Sequence, residues 1–169
     1  MTKQTEILAE IIVFVTLAAV LHQFTFFSMP QGGRVTAGSM IPIFWLALRR
    51  GAKVGVIAGI VFGLIVLMIE PFFFHPVQVL LDYPIAFGLL GLAGFFRQIP
   101  LLGVVVGVFG RFIAHFIAGI IFFASYVPEG MNPVLYSVIY QGSYLLVEFI
   151  ISMIIIYILF RRKYIDIYR

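Results

Sequence analysis

The chain has 169 residues, 63% of them hydrophobic and only 11% charged. A soluble domain carries about 25% charged residues, so a soluble fold is excluded. The formal net charge of +4 lies in short connections and the C-terminal stretch, where it sets membrane topology rather than nucleic-acid binding. Cysteine is absent, which removes disulfides and thiolate chemistry from consideration.

A membrane helix needs about 20 mostly apolar residues, and the chain divides into six apolar segments. The first is predicted over about 7–27 and is read as a retained helix, since no small-residue cleavage site follows it. A loop over 28–39, SMPQGGRVTAGS, is broken by Pro30, Gly32 and Gly33. Helix 2 is predicted over about 40–48, too short to cross unaided unless tilted or extended. The basic turn Arg49-Arg50-Gly51-Ala52-Lys53 leads to helix 3 at about 54–69. Pro71 and Pro76 bracket a connection filled by Phe72, Phe73 and Phe74. Helix 4 is predicted over about 77–96, helix 5 over about 101–125 and helix 6 over about 134–160.

With six crossings, Lys3, Arg49, Arg50, Lys53, Arg97, Arg161, Arg162 and Lys163 fall on one side, against Arg34 with Glu70 and Glu129 on the other. The positive-inside rule then places both termini in the cytoplasm. The expectation is an all-α, six-transmembrane-helix bundle, N-in and C-in, forming one integral-membrane domain of the cell membrane. Glycines spaced by three or four residues (Gly55, Gly59 and Gly63; Gly88, Gly91 and Gly94; Gly103 and Gly107) let helix backbones approach closely in lipid. Packing within one bundle explains them better than a dimer interface.

Few polar residues interrupt the apolar segments, and an acid at the centre of a membrane helix costs roughly 2.5–3.5 kcal/mol on insertion scales. Asp82, followed by Tyr83, is therefore the primary candidate for function. Asp82, His115, Tyr136, Tyr140 and Gln141 all fall in the outer halves of their helices, with the 28–39 loop at the same depth. That convergence points to an outward-facing ligand pocket, and aromatic rings around a carboxylate suit a cation. Taken singly, His115 is equally a core histidine, and the Tyr136, Tyr140, Tyr144 stripe reads as packing with only its outermost member near ligand. Arg111 and Glu148, deeper, are expected to pair with each other. His75 and Arg34 are expected to be solvated, and His22 and Gln23 either to line the pocket or to snorkel. There is no phosphate-binding loop, zinc-protease motif or nucleophile elbow, so no enzyme, cofactor or metal is indicated.

The segments MPQGG (29–33), LRRG (48–51), HPVQVLLDYPIAFGLLGLAG (75–94), GRFIAHFIAG (110–119), PEGMNP (128–133) and GSY (142–144) resemble the thiamine-specific substrate-binding subunit of energy-coupling-factor (ECF) vitamin transporters. The likeness spans nearly the whole chain, and the 75–94 block and PEGMNP are its most specific parts. It implies a six-helix subunit that captures thiamine, or a close pyrimidine or thiazole analogue, from outside. That subunit would join a module of two cytoplasmic ATPases and a transmembrane coupling subunit. By match to the family pattern it implies ligand contacts at Asp82 (usually Glu), Tyr83, His115, Phe123 (usually Trp), Tyr136, Gln141 (usually Asn) and Phe72 (usually Tyr), with Gln31, Gly32 and Gly33 in a lid. The 28–39 loop lacks the family's Trp, and the small-residue motif of helix 1 is reduced to Val15-xxx-Ala19. Two readings from other classes stand beside it: a membrane scaffold without a small-molecule ligand, and a small intramembrane enzyme using Asp82 and His115.

Overall fold

In a computed structural model of the chain, residues 3–30 and 32–162 are described. Long helices form where the sequence is continuously apolar: α1 (Lys3–Gln23), α3 (Ala52–Ile69), α4 (Pro76–Phe96), α5 (Pro100–Phe122) and α6 (Pro133–Arg161). All five are long and apolar enough to cross a membrane. Proline stands in the first turn of α4, α5 and α6, where its missing N–H costs nothing. The fold is an all-α membrane bundle whose only strands, among the described residues, are a short hairpin.

That hairpin corrects the sequence expectation. Helix α1 stops at Gln23 rather than running to 27, and the next residues form β1 (Thr25–Ser28), paired antiparallel with β2 (Arg34–Thr36). The 28–39 segment is therefore partly regular. Gly32, at φ 90°, takes the turn, where a side chain would be strained.

After β2 comes α2 (Ile41–Arg50), ten residues long, with Ile41–Phe44 and Leu46–Leu48 buried. Ten residues rise about 15 Å, half of a bilayer core of about 30 Å. The chain ahead of α2 runs alongside α6. The N–H of Gly33 meets the Tyr140 hydroxyl, Thr36 meets Glu148, and Gly38 lies against Ile151. From Tyr140 to Ile151 helix α6 descends roughly 16 Å. The segment from Gly33 to Gly38 thus follows about that length of α6, and non-helical backbone inside an apolar bundle needs internal partners for its N–H and C=O groups. Here β2 pairs with β1 and lines an internal cavity instead of facing lipid.

The basic end of α2 is locked to its neighbours. Arg50 Nε donates to Glu10 on α1 at 2.6 Å, and Arg97 at the end of α4 donates to the carbonyls of Leu48 and Arg49 at 3.0 and 2.7 Å. Helix α1 otherwise packs loosely, burying only Val15, Ala18 and His22.

The glycine series do what internal packing requires. A Cβ on Gly91 would lie 2.5 Å from the Val56 Cα, and one on Gly94 2.6 Å from the Ala52 Cα, so α3 and α4 touch backbone to backbone. Gly103 and Gly107 bring α5 against Ala93 and Leu90 of α4 less tightly, with each added Cβ 3.2 Å from the facing Cα. Gly91→Val should destabilise the bundle by about 3 kcal/mol, because backbone cannot yield as a side-chain tip can. Gly142, with nothing within 4 Å of its added Cβ, is the control. Thermal unfolding in detergent should show a clear loss for Gly91→Val and none for Gly142→Ala.

Candidate functional site

Helix α4 is not a uniform helix. Leu81–Ile85 form a π-helical turn around Pro84, and the helix tightens to 3-10 geometry over Leu90–Phe96. Proline removes a backbone donor and clashes with the preceding turn, and a π turn absorbs that disturbance. The disturbance falls on Asp82 and Tyr83, the pair singled out by the sequence.

Asp82 is held from two sides. His115 Nδ1 on α5 lies 2.8 Å from its Oδ1, and Gln78 Nε2, one turn earlier on α4, donates to Oδ2 at 2.7 Å. Its side chain remains 15% exposed, toward a cavity of about 370 Å³. Every described residue named from the sequence as a ligand contact or lid borders that cavity: Asp82, Tyr83, His115, Phe123, Tyr136, Gln141, Phe72, Gly32 and Gly33. Gln31, the remaining lid position, lies outside the described residues.

Their immediate partners differ in kind. The Tyr83 hydroxyl donates to the Glu70 carbonyl and accepts from the Phe72 N–H, both at 2.9 Å, so it ties down the α3–α4 connection and offers the cavity its ring. Gln141 donates to the His115 carbonyl and accepts from the Tyr144 hydroxyl at 2.7 Å, which fixes its amide. Phe123 follows the last residue of α5, because that helix ends at Phe122 and not near 125. Its ring packs 5.7 Å from Phe72 and 5.9 Å from Phe74, forming one aromatic wall.

Several expectations are corrected. Arg111 and Glu148 do not pair: Arg111 Nε donates to His115 Nε2 at 3.2 Å, with its guanidinium 4.2 Å over the Phe87 ring. Glu148 instead accepts from the backbone N–H and hydroxyl of Thr36. Arg34 is not simply solvated; it pairs with Glu70 at 2.6 Å on the cavity rim. His75 is exposed, yet its ring accepts from the Val77 N–H as the N-cap of α4 and stacks on Phe122. His22 lines the cavity, and so do Tyr140 and Tyr144, not Tyr136 alone.

Gln78 was missed. It is 1% exposed and gathers four groups, accepting from the Phe74 and His75 N–H groups and donating to the Phe72 carbonyl and Asp82. Its position four residues before Asp82, on the same face of an apolar helix, was the available signal.

The family model described as thiamine transporter protein (Thia_YuaJ) matches residues 8–166. The chain belongs to that family. It is 36% identical to the thiamine transporter ThiT of Bacillus subtilis, over 94% of this chain and 92% of that protein. It is 32% identical to the thiamine transporter ThiT of Lacticaseibacillus paracasei, over 71% and 70% of the two chains. A solved ThiT structure from Listeria monocytogenes superposes with a TM-score of 0.85 at 25% identity, covering 95% of this chain and 96% of that one. As a member of the thiamine transporter family with five long apolar helices, the chain is a multi-pass protein of the cell membrane.

Proposed function

We propose that this protein captures thiamine from outside the cell, as the substrate-binding subunit of an ECF importer. The observation that carries the reading is the meeting of Asp82, His115 and Tyr136 on one cavity. Thiamine brings a permanently cationic thiazolium ring and an aminopyrimidine. A carboxylate in a low-dielectric site attracts the first and accepts from the amino group of the second. Phe123, Phe72, Tyr83, Tyr136 and His115 wall and stack against the rings, with Gln141 adding hydrogen-bond capacity. The loop carrying Gln31, Gly32 and Gly33 acts as the lid. On this reading the whole chain is one domain, crossing the membrane six times with both termini inside, and β2 with α2 makes the second crossing. Because the chain has no phosphate-binding loop, ATP-driven uptake needs the two ATPases and the coupling subunit as partners.

The test is calorimetry with thiamine on the purified protein, together with mass spectrometry of extracted ligand and of copurifying chains. Thiamine binding with copurifying ATPases supports the reading. A pyrimidine or thiazole fragment bound in preference to thiamine removes thiamine as the substrate, and no ligand at all favours a scaffold. Phe123→Trp should tighten thiamine binding about threefold, since indole is the strongest cation–π partner. A weakened complex would show that the Phe72–Phe74–Phe123 wall is fitted to a smaller ligand.

A further inference from the structure

The geometry points to Arg111 as a positioning residue that fixes the tautomer of His115 and keeps that ring neutral, so that Asp82 presents its full negative charge to a cationic ligand. The inference rests on the reading that the cavity binds a cation. It follows from which atoms can donate. Arginine has donors only and keeps its proton in proteins. Its Nε points at His115 Nε2 from 3.2 Å, so that nitrogen must be the acceptor and carry no proton. The ring proton therefore sits on Nδ1 and is donated to Asp82 Oδ1, 2.8 Å away. A second proton on His115 would point an N–H at a guanidinium.

Without Arg111, Asp82 is the charged group left in contact with the ring, and its opposite charge favours a second proton against the cost of charging a buried imidazole. The imidazolium would then neutralise Asp82 and compete with any incoming cation. The other charged or titratable groups around His115 do not replace Arg111. From α6, Tyr144 packs edge-on to the ring at 6.2 Å, and Glu148 borders the same cavity while holding Thr36. From β2, α3 and α1, Arg34, Glu70 and His22 cluster together at the rim. Arg111 is the only cation among the described residues with a hydrogen bond to His115.

The consequence is a binding constant insensitive to pH across the range where histidine normally titrates. Thiamine affinity of the wild-type protein should change less than about twofold between about pH 8 and about pH 6. In Arg111→Met it should fall at least about fivefold over the same interval, as His115 takes its second proton. Arg111→Lys, which retains a cation and a donor, should restore the flat profile. Nitrogen-15 NMR of the histidine rings in the wild-type protein should show His115 as the neutral Nδ1–H form, a readout that needs no variant to fold. An imidazolium or Nε2–H ring, or an Arg111→Met profile as flat as wild type, overturns the inference. Wild-type protein that does not bind thiamine overturns the proposed function instead.

Discussion

Asp82→Ala should weaken thiamine binding at least about thirtyfold while the protein still inserts and purifies as a bundle. Two losses add. The ligand's charge loses its counter-ion in a site screened from water, where truncating one partner of a buried charge pair costs about 2–5 kcal/mol. In addition, the donors of His115 and Gln78 lose their acceptor. Each factor of ten in affinity is about 1.4 kcal/mol, so 2 kcal/mol already gives roughly thirtyfold. Asp82→Asn separates the two losses. Its amide oxygen still accepts from one neighbour, but the charge is gone and its NH₂ faces a donor. Asn should bind nearly as poorly as Ala if charge dominates, and between Ala and wild type if hydrogen-bond satisfaction dominates, since one of the two donors still finds an acceptor. Unchanged affinity in Asp82→Ala, by calorimetry, removes Asp82 from the site.

Asp82 could be found in the sequence because lipid makes polarity conspicuous. In a soluble protein an Asp-Tyr pair and a lone histidine carry no signal; in helices this apolar each demands a partner. The same scarcity found His115, Tyr136 and Gln141. Depth along each helix then sufficed to collect them at one level, because a helix rises by a fixed amount per residue. Helix rotation was harder, and that is where the partners went wrong. Similar depth and the cost of a lone buried charge suggest pairing Arg111 with Glu148, yet Arg111 faces His115 and Phe87 while Glu148 faces Thr36. Periodicity reports which residues share a face of one helix and says nothing about what another helix presents to it. The hairpin was hidden for a different reason. Phe24, Phe26 and Phe27 extend the apolar segment past His22 and Gln23 with no glycine or proline before Pro30, so hydropathy reads them as helix. Their strand conformation depends on pairing with Arg34–Thr36 across a turn, a non-local preference that a window along the chain does not register. Phe72 and Phe123, placed by likeness to a family, do meet as rings 5.7 Å apart.

Glu148→Ala, away from the proposed ligand contacts, should cost both stability and binding, and it tests what anchors β2 ahead of α2. Glu148 is 1% exposed and sits where β2 gives way to α2. Its Oε1 accepts both the backbone N–H and the hydroxyl of Thr36; that hydroxyl also lies 2.9 Å from Ser39 Oγ and accepts from the Ser39 N–H at 3.1 Å. One carboxylate oxygen therefore satisfies a strand N–H that in hydrocarbon would otherwise cost several kcal/mol. Alanine leaves that donor orphaned and opens space beside it. The expected loss is about 3 kcal/mol of stability, or roughly 6–12 °C in melting temperature for a chain of this size. Because Gly33 and Arg34 hang from the same strand, thiamine affinity should fall at least about tenfold with it, equivalent to about 1.4 kcal/mol. Glu148→Gln keeps an oxygen able to accept both Thr36 donors and should retain most of the stability and the binding. If Glu148→Ala melts and binds as wild type does, β2 is held by its pairing with β1 alone. If Gln fails as badly as Ala, the carboxylate's charge rather than its accepting oxygen anchors the strand.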